Sequence, residues 1–151
     1  MSSPTVPAPA VSLLRHTPPD GPPHFDWLID LSIPTPDRLR GEGDRVPTFR
    51  VQEALDACPA GCEIAARRIA DHRRFYLGLT EERVLSDNRG TVRPHRHGRI
   101  LEATVIHASR KAGAIELLIR WDAAEATELQ RLRLTPGDDD RWVVRVVENE
   151  E

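Results

Sequence analysis

The chain has 151 residues, enough for one ordinary domain and too few for two independent cores. Its formal net charge is −3, so the protein as a whole lacks the basic field that is typical of proteins binding nucleic acid in bulk. The sequence contains neither the blocks of a signal peptide nor an apolar run of membrane-spanning length. We therefore expect a soluble, cytoplasmic protein with no membrane partner.

Short stretches of alternating apolar residues follow one another along the chain and are separated by turn-forming residues. In chain order they are VSLLRH, HFDWLIDL, VPTFRVQ, CEIAARRIA, RILEATVIHA, AIELLIRW, TELQRLRLT and RWVVRVV. The turn-rich TPPDGPP, SRKAG and PGDDD segments punctuate this series and favour hairpins. Many short, closely spaced strands predict an all-β fold, a small closed or nearly closed β-barrel.

Helical patterns are weaker. VQEALDAC, from Val51 to Cys58, allows one or two turns before Pro59, and DAAEATELQRLRL has helical propensity although its second half alternates as a strand would. We expect at most short helices. The chain divides into a flexible Pro-rich N-terminus over residues 1–10, a barrel domain over residues 11–148 and an acidic tail over residues 149–151.

His24 and Asp26 are two residues apart in HFDWLIDL, so an extended chain places both on one face. An imidazole nitrogen and a carboxylate oxygen on one face can bind a common divalent ion. His16 ends the preceding strand, and a hairpin through TPPDGPP would bring it beside His24. These three residues are candidate metal ligands that leave positions open for water or substrate.

Two other groups offer competing interpretations. His95 and His97 repeat the same spacing beside Pro94 and Gly98, and we interpret them as exposed histidines, with metal or phosphate contacts as the alternative. Cys58 and Cys62 can form a small disulfide or half of a zinc site, but no second cysteine pair exists, so we interpret them as buried or idle thiols.

DHRRFY places an aspartate, a histidine and the only tyrosine close together. Asp71 can fix one nitrogen of His72, which leaves the other to donate to a phosphate oxygen or to act as a general acid. Tyr76 would add a hydroxyl donor. Spacing alone favours a structural role, in which Asp71 and His72 start a turn and Tyr76 is core.

Arginine is concentrated between Arg67 and Arg99, a segment that contains nine arginines and only four acidic residues. Because arginine is a forked donor that matches phosphate, this segment is either an anion-binding surface or a solvated face. Lys111 is the only lysine in the chain, so genome composition explains the arginine excess as well as function does.

Taken together, these motifs carry a resemblance to a known family. His16 at a strand end, the HFD strand, DHRRFY, RGTVRPHRHG and the strands AIELLIRW and RWVV occur in one order from about Ser12 to Val147. In this order and approximate spacing the chain resembles the 3′-phosphoesterase domain of bacterial DNA ligase D (the DNA polymerase/ligase N-terminal domain family), and most closely its stand-alone relatives.

The resemblance implies a small β-barrel with an active-site groove on its outer surface. It implies that His16, His24 and Asp26 hold a divalent ion, Mn²⁺ first and Zn²⁺ as the alternative, and that His72 and Tyr76 contact the phosphate. The implied reaction removes a 3′-phosphate or a 3′-ribonucleotide from DNA or RNA-tipped DNA ends in DNA repair. The product is a 3′-OH that suits a separate DNA ligase or polymerase.

One departure affects this expectation. The ligase domain has a phosphate-clamping arginine two residues after the aspartate, where this chain has Leu28. Arg68, Arg74 and Arg89 are candidates to bind the phosphate instead. The alternative hypothesis is a non-catalytic barrel that binds DNA ends or a repair partner, and a third is a barrel without any metal.

Overall fold

The computed structural model describes residues 9–31, 41, 43–108, 111–122 and 128–148. Most of the predicted flexible N-terminus and the predicted acidic tail lie outside the described residues. The strands are β1 (Ala10–Thr17), β2 (His24–Asp30), β3 (Arg45–Val51), β4 (Glu63–Arg73), β5 (Arg83–Val84), β6 (Thr91–Ala108), β7 (Lys111–Trp121), β8 (Glu128–Pro136) and β9 (Arg141–Val147).

All strand pairs are antiparallel, and the sheet order is β1-β2-β3-β4-β9-β8-β7-β6-β5. β1 also pairs with β6, so eight strands form a hydrogen-bonded ring and β5 is added outside it. The predicted all-β fold with a nearly closed barrel is confirmed.

The interior of the ring is filled by one side of each strand. Leu13, Trp27 and Phe49 belong to this core and are fully buried, and Trp121 and Trp142 add further aromatic bulk. Their neighbours along each strand point outward because successive side chains of a strand face opposite sides. Each large buried side chain stabilises the fold by roughly 1.5–3 kcal/mol.

A second, smaller core lies on the outer face of β1 and β2. A 3-10 segment, Arg74–Gly78, follows β4 and covers this face. Its buried residues pack against outward-facing residues of the strands, which therefore stay apolar on the outside. The members of this outer core are Ala10, Leu14, Leu28, Val46, Leu77, Leu79 and Val92, with Phe75, Tyr76 and Leu85 packed at its edge.

Helical structure in the described ranges consists of two short 3-10 segments, as expected. One, Leu55–Ala57, falls inside the predicted Val51–Cys58 stretch. The second stretch with helical propensity, DAAEATELQRLRL, forms strand β8 from Glu128 onward. There the alternation of apolar side chains and the pairing with neighbouring strands outweigh the helical propensity. No helix among the described residues is long and apolar enough to span a membrane.

Candidate metal centre

The β1–β2 hairpin places the first two predicted ligands together. His16 lies directly opposite His24 in the antiparallel register, and Leu14 lies opposite Asp26. Residues opposite each other on adjacent strands share a face, and this face is the outer one. The predicted approach of His16 to His24 is confirmed.

The three side chains converge on one point. His16 Nδ1 lies 3.1 Å from His24 Nε2 and 3.7 Å from Asp26 Oδ2, and His24 Nε2 lies 3.3 Å from Asp26 Oδ1. One ligand atom from each residue lies within 4.8 Å of the other two. Two imidazole nitrogens and a carboxylate oxygen in this arrangement suit a divalent transition metal or zinc.

The ring of His16 is oriented by a backbone carbonyl. Its Nε2 donates to the carbonyl oxygen of Arg89 at 2.8 Å, so Nδ1 keeps its lone pair toward the cluster. The turn that presents this carbonyl ends at Gly90, whose φ is +93° and where an added Cβ would lie 2.0 Å from the Thr17 carbonyl oxygen. Only glycine fits this close approach, which explains the glycine of the RGTV motif.

His72 joins the cluster because of a β-bulge. On β3, Val46 and Thr48 are two residues apart, but their partners on β4, His72 and Ile69, are three apart. The extra residue turns His72 back to the outer face, where its Nε2 lies 3.1 Å from Asp26 Oδ2. The backbone N–H of His72 donates to Thr48 Oγ1 at 3.1 Å, which holds the bulge in place.

The other nitrogen of His72 is not held by Asp71, one of the two roles that the sequence left open. The favoured alternative, that the two residues start a turn, is also wrong, because both lie on β4. Nδ1 donates to the carbonyl oxygen of Ala70 at 3.1 Å, whereas Asp71 pairs with Arg68. Adjacent residues on a strand point to opposite faces, so Asp71 cannot reach the ring that follows it. Both nitrogens of His72 lie within hydrogen-bonding distance of an oxygen atom.

Tyr76 lies beside His72 on the 3-10 segment. The two ring centroids are 6.1 Å apart and the rings are tilted by 66°. The Arg83 guanidinium lies over the neighbouring Phe75 ring at 4.7 Å and 5.9 Å from the Tyr76 ring centroid. The predicted pair of His72 and Tyr76 is therefore brought to the edge of the histidine and aspartate cluster.

Asp26 supplies the negative charge of the cluster from a buried position, 3% exposed. Burial alone would raise its pKa, but hydrogen-bonding and Coulombic interactions with His24 and His72 outweigh burial and hold the pKa well below its usual range. Its Oδ1 is buried and makes no well-formed hydrogen bond in the described part of the chain, although His24 Nε2 lies 3.3 Å away. An ionised carboxylate beside two imidazole nitrogens fits a bound dication.

This carboxylate predicts a pH-dependent stability. A group whose folded pKa is lowered stabilises the fold above its unfolded pKa, near 3.9, and loses that effect as pH falls. In chelator-treated protein, Asp26→Asn should lower the free energy of unfolding by about 2 kcal/mol, the usual value for hydrogen bonds to a charged group. Urea unfolding should find this difference constant above about pH 5 and smaller below about pH 4. A difference unchanged down to pH 3 would contradict the assignment.

Comparison with known proteins gives no family. No protein-family model matches the chain, and no curated protein matches it at a significant level. The candidate metal centre is therefore defined by its own residues and geometry.

The three arginines predicted to bind phosphate point away from the cluster. Arg68 lies on the inner side of β4, over the Phe49 ring at 5.7 Å, and contacts Asp71. It lines a depression of about 380 Å³ at the barrel end that does not include the metal-centre residues. Arg74 pairs with Asp30. Asp30 lies four residues beyond Asp26 on β2, so the two residues are about 13 Å apart along the strand.

Arg89 contributes through its backbone instead of its side chain. Its guanidinium donates to the carbonyl and hydroxyl oxygens of Ser86 at 3.0 and 3.1 Å, within its own turn. Its carbonyl oxygen is the acceptor that orients His16. Sequence patterns indicate side-chain chemistry, so this backbone role carries no signal in the sequence.

Sequence reasoning missed Arg50, which lies directly opposite Asp26 in the register of β2 and β3. It alternates with the inward-facing Phe49 and Val51, so its side chain is on the outer face with Asp26. Its Nε is buried and has no hydrogen-bond partner among the described residues. By contrast Leu28, two residues after Asp26 on the same face, is fully buried in the outer core.

His95 and His97 have structural partners. His95 is exposed, as expected, and its Nε2 lies 3.1 Å from Asp56 Oδ1. The interpretation of His97 as exposed is wrong, because it is half-buried between the Ser12 hydroxyl, at 2.8 Å, and the Leu79 carbonyl oxygen, at 2.9 Å. His97 thereby ties β1 to the end of the segment that carries Tyr76.

Cys58 and Cys62 are free thiols, partly buried against the barrel core. Glu53 is the third member of a small cluster with them, and its carboxylate lies 4.0 Å from Cys58 Sγ. Burial, together with the neighbouring Cys62 and Glu53, raises the pKa of Cys58 to about 12. The absence of a disulfide agrees with the interpretation of two idle thiols.

Cys58 should therefore react slowly with alkylating agents. The thiolate is the reactive form, and a pKa near 12 leaves little of it at pH 8. We expect iodoacetamide to modify Cys58 at least about tenfold more slowly in the native protein than in urea-unfolded protein, followed by peptide mass spectrometry. Equal rates in the two states would contradict the raised pKa.

Proposed function

We propose that the protein is a divalent-metal-dependent phosphoesterase that removes a 3′-phosphate or a 3′-terminal ribonucleotide from nucleic acid ends in DNA repair. The observation that carries this proposal is the convergence of His16, His24 and Asp26 within 4.8 Å, beside His72. The ordered motifs that resemble the 3′-phosphoesterase domain of DNA ligase D support the same chemistry.

His16, His24 and Asp26 would hold the ion, Mn²⁺ first and Zn²⁺ as the alternative, with the Arg89 carbonyl orienting His16. Such an ion, when bound, neutralises phosphate charge and lowers the pKa of water. His72 would donate a hydrogen bond from Nε2 to a phosphate oxygen once that nitrogen leaves Asp26. Tyr76 adds a hydroxyl donor at the same edge.

In the proposed reaction a water oxygen adds to phosphorus while the bond between phosphorus and the 3′ oxygen breaks. The 3′ oxygen takes up a proton and remains as the 3′-OH. Arg50, on the same face as Asp26, would supply the positive charge that Leu28 cannot. A 3′-OH end is the substrate that a separate polymerase or ligase requires.

The direct test is a labelled primer carrying a 3′-phosphate or a single 3′-ribonucleotide, incubated with Mn²⁺. The wild type should trim the end to a 3′-OH, and His24→Ala should not. His95→Ala is the matched control, because His95 contacts Asp56 and the Phe25 ring and is not a member of the His16, His24 and Asp26 cluster. No trimming by the wild type with Mn²⁺ or Zn²⁺ would contradict the enzymatic proposal.

A second candidate is a non-catalytic barrel that binds DNA ends or a repair partner. The observation that favours it is Leu28, fully buried where the resembling enzyme has its clamp. This candidate predicts salt-sensitive binding to DNA ends without turnover, whereas the first predicts both.

A further inference from the structure

A row of arginines crosses the outer face of the barrel, starting at the candidate metal centre. Asp26 lies opposite Arg50 on β3, Arg50 opposite Arg67 on β4, and Arg67 opposite Arg141 on β9. Residues in directly opposite positions share a face, and their strands are about 4.8 Å apart. Four neighbouring strands thus carry one carboxylate followed by three guanidinium groups.

This row carries more positive than negative charge. Like charges directly opposite on adjacent strands destabilise a sheet. The carboxylate of Asp26 contacts His24 and His72. The Nε of Arg50 is buried without a hydrogen-bond partner in the described ranges. Arg67 pairs with Asp140 at 3.0 Å, but both side chains are exposed, by 66% and 42%, and such a pair contributes only about 0–1 kcal/mol.

A neighbouring row offers the contrast. Glu116 lies opposite Arg133, Arg133 opposite Arg145, and Arg145 opposite Glu63. Here a carboxylate closes each end, and Arg133 Nη2 lies 3.0 Å from Glu116 Oε2. The second row therefore has equal numbers of carboxylates and guanidinium groups, whereas the row that begins at the metal centre has an excess of guanidinium groups.

We propose that Arg50, Arg67 and Arg141 bind the sugar-phosphate backbone of the single strand whose 3′ end lies at Asp26. This inference rests on the proposed function and adds the path of the substrate strand. From Arg50 to Arg141 the row extends about 10 Å, which is long enough to contact more than one phosphate of an extended strand. Guanidinium forks match phosphate oxygens, and the row carries no aromatic side chain to stack a base. Binding is therefore independent of base sequence and sensitive to salt.

The test uses a fluorescent single-stranded DNA octamer that ends in a 3′-OH, so that turnover does not interfere. Its binding is measured by anisotropy in Mn²⁺ buffer over a range of salt concentrations. The double variant R67Q/R141Q should bind more weakly, and its slope of log K against log salt should be shallower by about 1.4, or about 0.7 for each lost phosphate contact. R67K/R141K should keep the wild-type slope, because it keeps the charges.

The matched control is R133Q/R145Q, which removes two arginines from the same outer face, one on β8 and one on β9, the strand that also carries Arg141. It should leave the slope unchanged. An unchanged slope in R67Q/R141Q, or an equal change in the control variant, would contradict the proposed path of the substrate strand. Wild-type trimming of a 3′-phosphate primer is measured in parallel. Its absence would refute the proposed function, and the slopes would still decide the role of the row.

Discussion

Asp26→Asn is expected to weaken divalent-metal binding by more than about a hundredfold and to abolish 3′-end trimming. Removing a residue that only hydrogen-bonds to a metal ligand already lowers metal affinity roughly 10–100-fold. Asp26 is a candidate direct ligand, so its loss should have a larger effect. It is also the one carboxylate within reach of both His16 and His24 among the described residues. Asparagine keeps the shape of the side chain but removes the charge that offsets a dication.

Isothermal titration with Mn²⁺ and the primer assay measure these two losses. Asp30→Asn is the matched control, because Asp30 is a buried aspartate on the same strand and face that pairs with Arg74. It should reduce stability while leaving metal binding intact. Equal metal affinity in Asp26→Asn and the wild type would contradict the role of Asp26.

Leu28→Arg, which restores the residue of the resembling enzyme, is expected to destabilise this protein instead of activating it. Leu28 is fully buried, between Ser12 and Thr48 on the flanking strands and below Leu77. A guanidinium there would be buried without a partner, which costs roughly 3–5 kcal/mol. For a chain of this size the midpoint of thermal unfolding should fall by about 6–20 °C.

Thermal unfolding followed by circular dichroism measures this shift. Leu28→Met nearly conserves volume, so it should cost less than about 1.5 kcal/mol. A Leu28→Arg variant that is as stable as the wild type and trims ends faster would contradict our account of the outer core. That result would show that the 3-10 segment can move aside and let an arginine at position 28 bind the phosphate.

The fold was largely predictable from the sequence because barrel strands carry a strong local signal. Alternation in HFDWLIDL separates inward Trp27 from outward Asp26, and the short TPPDGPP turn fixes the pairing of His16 with His24. The 3-10 segment after β4 was not predicted, since its stability comes from packing on Leu14 and Leu28 and not from its own five residues.

The arginines show where sequence reasoning ends. Whether an arginine reaches the site depends on strand order and on β-bulges, which are long-range properties. Arg68 lies on the inner side and Arg74 pairs with Asp30, whereas Arg50 is placed opposite Asp26 only by the β2–β3 register. Fourteen residues separate those two strands in the sequence, so no local pattern reveals the pairing.

The central claim is that His16, His24 and Asp26 bind one divalent ion on the outer face of the barrel. Electron paramagnetic resonance of free Mn²⁺, titrated against chelator-treated protein, measures it most directly. We predict one bound ion per chain in the wild type and in His95→Ala, and none at the same concentrations in His24→Ala. Equal binding in the wild type and His24→Ala, or no binding of Mn²⁺ or competing Zn²⁺ by the wild type, would contradict the account.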